Sequence, residues 1–309
     1  MNTSAPSPRR LPFTTVDVFT AEPFFGNPVA VVLDAQGLDA EQMQRIARWM
    51  NLSETTFVLP PSATDADYQV RIFTPAAELP FAGHPTLGTA HALLEAGRIT
   101  PRSAETGGLL LQECGVGLVR LSIETTPGGG RWLSFELPTP KIRALGVEEQ
   151  SDLERVLATG TGSLTGACLI DVGPRWVVAP LGSAEAVLAC RPDLARLAAM
   201  DMKLDRTGVV IFGEHAPGKA ARLEVRAFAP AHGVPEDPVC GSGNGAVGAW
   251  LRHAGRVPVD EASLLVTQGG AVGRAGRIRL SLSEAAIRVG GQCVTCVTGI
   301  LDAPAFRMR

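Results

Sequence analysis

Nothing in the 309-residue sequence approaches an uninterrupted apolar run of about 18 residues, the length a helix needs to cross a bilayer. Blocks of like charge are missing too: 28 Lys and Arg stand against 31 Asp and Glu, a net charge of −3 with no basic stripe. That balance argues against nucleic acid and membrane surfaces as partners. The opening MNTSAPSPRRLPF has two arginines but no apolar stretch of signal-peptide length after them, so it reads as a loose tail and the compartment as the cytosol. A disulfide framework is also lacking. The six cysteines, Cys114, Cys168, Cys190, Cys240, Cys293 and Cys296, are scattered through a large chain, which predicts reduced thiols. CVTC at 293–296 has no second pair at ligand spacing. It lies in the alternating QCVTCVT, which predicts a strand whose residues three apart face opposite ways, so no metal site is expected.

What is present is a globular composition, 45% hydrophobic and 19% charged, in a chain long enough for two domains of roughly 150 residues. An internal duplication supports that division. Arg71, Phe73, Pro75 and Ala76 recur as Arg226, Phe228, Pro230 and Ala231, at an offset of 155. Ala96, Gly97 and Arg98 recur as Ala254, Gly255 and Arg256 at 158, Arg45 aligns with Arg196 at 151, and VDV from Val16 with IDV from Ile170 at 154. Several matches in one order predict two related halves, 1–140 and 141–309, joined near the proline-punctuated LPTPKIRALG at 137–146, with a C-terminal strand able to return to the first half.

Within the first half TTVDVF, PVAVVL, YQVRIF, LVRLSIE and WLSFEL read as strands. DAEQMQRIARWM reads as a helix capped by Asp39, with Met43, Ile46, Ala47 and Met50 on one face. A second helix is predicted from Pro85 to Glu95, with proline first and Gly97 beyond its end. It and the helix after Ser242 are small, apolar and glycine-containing nearly all round, which predicts burial of both. More strands than helices and few strand-helix-strand units predict an α+β fold: two pseudo-duplicated domains, each a mixed, largely antiparallel sheet wrapped around a central buried helix, with an active-site cleft between them.

The two buried helices begin at equivalent places, Gly83-His84 and Gly241-Ser242. Backbone N–H groups and the positive dipole end at such starts can seat a carboxylate or oxyanion; ordinary capping, with Ser242 a good cap and His84 another, is the bland reading. GSGNGA also satisfies a dinucleotide-type glycine pattern, with Asp260 and Glu261 about 20 residues on. However, Pro230, Pro235 and Pro238 separate it from the preceding strand and GHPTLG in the first half lacks the pattern, so a nicotinamide or flavin site is not expected.

MNLSETTFVL, RIFTPAAELPFAGHPTLGTA and RAFAPAHGVPEDPVCGSGNGAVGAWL together resemble the three signature blocks of the PhzF-like isomerases, named after the phenazine-biosynthesis isomerase, within the wider diaminopimelate epimerase-like fold. The resemblance implies no cofactor, a homodimer, and a small carboxylic-acid substrate; in the phenazine-pathway member this is 2,3-dihydro-3-hydroxyanthranilate. It further implies that Glu54 is the acid/base, with His84 and Asp237 beside it in catalysis and Gly83, Gly241, Ser242 and Cys240 lining the substrate site. A carboxyl partly desolvated in a cleft can take a proton from one carbon and return it to another. Cofactor-independent racemases of this fold use two thiols, but at the repeat offset of 158 the partner of Cys240 is Ala82. A racemase acting through Cys240, and a binding protein without catalysis, are the rival readings.

Overall fold

A computed structural model describes residues 9–102, 108–126, 128–256 and 263–303. The elements run β1 (Arg9–Val18), β2 (Asn27–Val32), α1 (Ala40–Met50), β3 (Glu54–Leu59), β4 (Tyr68–Phe73), β5 (Glu78–Leu79), α2 (Gly83–Glu95), β6 (Gly108–Cys114), β7 (Gly117–Thr125) and β8 (Arg131–Glu136). They continue as β9 (Lys141–Ala144), α3 (Val147–Leu157), β10 (Cys168–Asp171), β11 (Arg175–Pro180), α4 (Ala184–Ala189), α5 (Leu194–Lys203), β12 (Gly208–Glu214), β13 (Leu223–Ala229) and β14 (Val234–Asp237). The last are α6 (Gly241–His253), β15 (Ser263–Gln268), β16 (Gly276–Leu282), β17 (Ile287–Gly291) and β18 (Cys293–Ala303). No described helix is long and apolar enough to cross a membrane.

The chain forms two units, one holding Pro28–Leu133 with β1 and β18, the other Phe25–Asn27 and Ser134–Gln292. In the first, β1 runs antiparallel to β18, pairing Arg9 with Ala303 and Val18 with Cys293. β2 and β3 are parallel, β3 and β4 antiparallel; β4 carries β5 antiparallel and β6 parallel, and β6 turns back into β7. The second unit repeats this strand for strand. β9 and β10 are antiparallel, β11 and β12 parallel, β12 and β13 antiparallel; β13 carries β14 antiparallel and β15 parallel, and β15 turns back into β16. The result is the mixed, mostly antiparallel α+β architecture expected from the sequence.

Helices α2 and α6 occupy equivalent places, are 13 residues each, and are buried along almost their whole length. Their glycines are there for close packing. A Cβ at Gly88 would lie 2.4 Å from Val29 Cγ1, and one at Gly245 would lie 2.5 Å from Leu137 Cδ1. On α1 the apolar stripe delivers Met43 and Ala47 to a cluster with Leu11, Val32, Phe57 and Phe73. In the second unit Leu153, Val177, Leu197, Val209 and Phe228 share the corresponding cluster. The repeated arginines form a repeated ion pair: Arg71 with Glu78 and Arg226 with Glu236, each guanidinium also lying over a phenylalanine ring, Phe73 or Phe228.

Several expectations are corrected. Arg9–Phe13 is not tail but the start of β1, because its backbone pairs with β18. The 137–146 stretch carries a strand, β9, since only its prolines, and not Lys141–Ala144, lack ladder donors. Helix α2 begins at Gly83, two residues before Pro85; proline is tolerated there because the first four N–H groups of a helix have no intrahelical acceptor. Asp39 and Asp193 are the N-caps of α1 and α5, and Asn51 and Asp205 both sit in the left-handed region, at φ 53 and 50. The offset in this region is therefore 154 and not 151. A slip of three residues stays on nearly the same helix face, which is why the sequence alignment could tolerate it.

With the offset corrected, Ala47 and Leu52 of the first unit correspond to Asp201 and Arg206 of the second. Asp201 is completely buried, and neither carboxyl oxygen has a hydrogen-bond partner among the described residues. Arg206 is 4% exposed and donates from Nη2 to Glu149 Oε1 at 2.5 Å. Burial pushes the Asp201 carboxyl up to about 7 despite the nearby guanidinium.

Candidate active site

In the first unit, the left-handed Asn51 ends α1 and turns the chain so that β3 opens on Glu54, paired with Val29 of β2. His84 is the second residue of α2. Its Nε2 lies 3.3 Å from Glu54 Oε2, with the two side chains only 7% and 16% exposed. This is not an ion pair. Burial holds the imidazole down to about 3, so the ring is neutral at physiological pH. Its hydrogen bond to the Pro28 backbone partly opposes that shift, and since proline has no N–H the ring must donate there to the carbonyl. Gly83 begins the helix, and the N-cap Ala82 supplies no side-chain acceptor to the first turn. The arrangement presents a carboxyl against a neutral imidazole at the positive end of a buried helix, suited to holding a proton without a net charge on the ring.

The second unit builds a different centre at the equivalent place. β14 ends on Asp237, two residues short of α6's N-cap segment, and its Oδ1 accepts from Asn27 Nδ2 at 3.0 Å and from the Val239 N–H at 3.1 Å. Burial raises the Asp237 carboxyl to about 6; hydrogen bonds from the Cys240 thiol and Val239 partly offset this. Cys240, not Ser242, is the N-cap: its Sγ accepts from the Gly243 N–H at 3.3 Å. Ser242 lies inside the first turn, and its Oγ accepts from Trp176 Nε1 at 3.0 Å. Burial first, and the Asp237 charge second, push the Cys240 thiol well above its ordinary range. It is therefore a thiol, not a thiolate, near neutral pH.

Strand register shows how the two centres differ. Thr55 pairs with Phe73 as Val209 pairs with Phe228, so the counterpart of Glu54 is Gly208. No side chain fits there, since a Cβ at Gly208 would lie 2.0 Å from the Phe228 carbonyl oxygen. Likewise His84 answers to Ser242, Ala82 to Cys240 and, through Ile72–Leu79 and Ala227–Asp237, Leu79 to Asp237. Each unit thus carries one carboxyl that its repeat lacks.

The structure brings Glu54 to His84, and Asp237 to Cys240. Asn27, Trp176 and Gln268 join the second centre without having been expected; none is near the glycine motif in sequence, and no local pattern marks them. Asp260 and Glu261 lie outside the described residues. Among the described residues no group of three or more His, Cys, Asp or Glu is arranged to hold a metal.

Comparison with known proteins places these centres in context. The family model described as "Phenazine biosynthesis-like protein" matches residues 16–299. A Schizosaccharomyces pombe protein named "Antisense-enhancing sequence 1" is 41% identical over 93% of this chain and 97% of its own length. A Pseudomonas chlororaphis protein named "Trans-2,3-dihydro-3-hydroxyanthranilate isomerase" is 38% identical over 85% of this chain and 87% of its own. Among solved structures, a Bacillus anthracis phenazine biosynthesis protein of the PhzF family superposes with a TM-score of 0.82 at 24% identity, covering 95% of this chain and 99% of that one.

Proposed function

The chain belongs to the phenazine biosynthesis-like protein family, and from that membership we propose that it is an isomerase that moves a proton between carbons of a small unsaturated carboxylic acid, with Glu54 as the acid/base. The observation that carries the reading is the buried Glu54–His84 contact, which has no second copy because Gly208 takes the place of Glu54. A single carboxyl suits a reaction in which the same group removes a proton and returns it elsewhere. As the carboxylate it takes a proton from one carbon; as the carboxylic acid it delivers that proton to another, and the charge on protein and substrate is unchanged over the cycle.

His84, held neutral with its N–H given to the Pro28 carbonyl, turns an acceptor nitrogen towards Glu54, so it can accept from the carboxylic-acid form while being too weak a base to keep the proton. Gly83 offers the start of α2 to a carboxylate or developing enolate. Asp237, with a pKa near 6, and the amides of Gly241 and Ser242 are read as contacts for oxygen-bearing groups of the substrate. The thiol evidence speaks against the racemase alternative. Two-base racemisation needs a thiolate on one side and a thiol on the other, whereas Cys240 is held protonated and its counterpart is Ala82.

The test is proton NMR in D₂O with trans-2,3-dihydro-3-hydroxyanthranilate, the compound in the name of the 38% identical relative. Wild-type protein should isomerise it or exchange deuterium into carbon positions. Glu54→Gln should lower the rate by about 10²–10⁴-fold, the usual worth of a general acid/base, and still bind. Turnover that survives in Glu54→Gln would remove Glu54 from the role, and saturable binding without exchange by the wild type would favour the binding-protein reading.

A further inference from the structure

The segment from Asp237 to Ser242 is a turn through Pro238 with few backbone hydrogen bonds of its own, yet it must hold a half-buried carboxyl and a helix start in fixed relation. Gln268, the last residue of β15 and 1% exposed, spans it. Its Oε1 accepts from the Cys240 N–H at 3.1 Å and from Asn244 Nδ2 at 2.6 Å, while its Nε2 donates to the Asp237 carbonyl oxygen at 2.9 Å. Asn244, itself buried in α6, donates in addition to the Cys240 carbonyl at 2.9 Å. One side chain therefore ties the residue bearing the carboxyl to the residue that caps the helix.

Shape reinforces the tie. Gly269, just after Gln268, has φ 100, and a Cβ there would lie 2.6 Å from the Pro238 carbonyl oxygen. Gly276, paired with Gln268 across β15 and β16, could not carry a Cβ either, which would lie 2.4 Å from Val239 Cγ2. The end of the β15–β16 ladder is thus cut back to receive Pro238 and Val239.

The first unit shows that the fold does not need this device. By the pairing of β4 with β6 and of β13 with β15, Gln268 answers to Cys114, and Asn244 answers to Thr86. Among the described residues the three-bond clamp is found at Asp237 and Cys240, while in the first unit Gln112 donates to Thr86 Oγ1 at 2.9 Å and spans no such segment. We infer that Gln268 is a positioning residue: it fixes the Asp237 carboxyl and uses up the Cys240 N–H, so that the first free amides of α6 are those of Gly241 and Ser242. The catalytic arm of this inference rests on the isomerase reading; its structural arm does not.

Two variants test it in the full chain. Gln268→Leu removes all three hydrogen bonds at similar volume, and Gln268→Glu keeps the two acceptor bonds but loses the donor to Asp237. Site-resolved iodoacetamide labelling, followed by mass spectrometry of the peptide containing Cys240, should run about tenfold faster in Gln268→Leu, because a loosened segment opens more often, and at an intermediate rate in Gln268→Glu. With trans-2,3-dihydro-3-hydroxyanthranilate, kcat should fall roughly 10- to 100-fold in Gln268→Leu, and the acid limb of its pH profile should be displaced from that of the wild type, because the Asp237 carboxyl, raised by burial, is no longer held in place. Labelling rate and pH profile both unchanged in Gln268→Leu would overturn the inference. If Gln268→Leu does not fold, Gln268→Glu decides on the same two readouts. Faster labelling in a protein whose wild type leaves that compound untouched would uphold the clamp and count against the isomerase reading for this substrate.

Discussion

Asp201 offers a stability test in which sign and size both follow from its surroundings. Its carboxyl titrates near 7 in the folded chain, against an ordinary value of 3.8. Between those limits the folded protein keeps a proton that the unfolded chain has released, so stability falls as pH rises through the window. At about 1.4 kcal/mol per pH unit, and allowing for the onset of titration near 7, the loss assigned to this one group between pH 5 and pH 7 is about 2 kcal/mol. Asp201→Asn has the same shape and no titration. Urea unfolding at the two pH values should therefore show wild type losing about 2 kcal/mol more than the variant over the interval. An equal loss in both would refute the reasoning, since it would mean that the buried carboxyl is ionised throughout. The first unit supplies a companion experiment: Asp201→Ala with Arg206→Leu recreates its Ala47 and Leu52, and should be neutral or stabilising by about 1–4 kcal/mol at pH 7.

Packing and ion-pair burial give further tests. Gly88→Ala gains about 1 kcal/mol of helix propensity but forces a methyl to 2.4 Å from Val29 Cγ1, so a net loss of up to about 2 kcal/mol in thermal unfolding is expected; an unchanged or raised melting temperature would mean that α2 has more room than its contacts show. The repeated ion pairs should differ in worth. Glu236→Gln leaves Arg226, 5% exposed, without its counter-charge and should cost about 3 kcal/mol. Glu78→Gln, beside an Arg71 that is 29% exposed, should cost less than about 1 kcal/mol. Equal denaturant midpoints for the two variants would contradict the argument.

Features carried by periodicity and by repetition were legible in the sequence. The absence of a polar face announced the burial of α2 and α6, Asp39 announced the start of α1, and the recurring Arg-x-Phe announced that one architecture occurs twice. What stayed hidden depends on contacts between residues far apart in the chain. Cysteine is rarely read as a cap, so Ser242 drew the assignment that geometry gives to Cys240. Asn27 and Gln268 reach Asp237 from 210 and 31 positions away. An aspartate at position 201 of an amphipathic helix reads as a solvated acid, and only the three-dimensional correspondence with Ala47 shows that it points into a core. Glu54 on its own would pass for an ordinary loop acid; the resemblance to a known family singled it out, and the structure adds the neutral histidine beside it.

The pairing of β1 with β18 bears on how the protein is made. Ten residues of β1, from Arg9 to Val18, find their antiparallel partner only at Cys293–Ala303. At roughly 5–20 residues per second, a ribosome needs about 14–60 s after β1 emerges before that partner exists. Throughout that interval the first unit lacks the strand that covers β1, while every described strand pairing of the second unit is available as soon as β17 is out. The unit encoded first is therefore completed last, and β1 is the edge that a nascent-chain chaperone would have to shield against pairing with other chains.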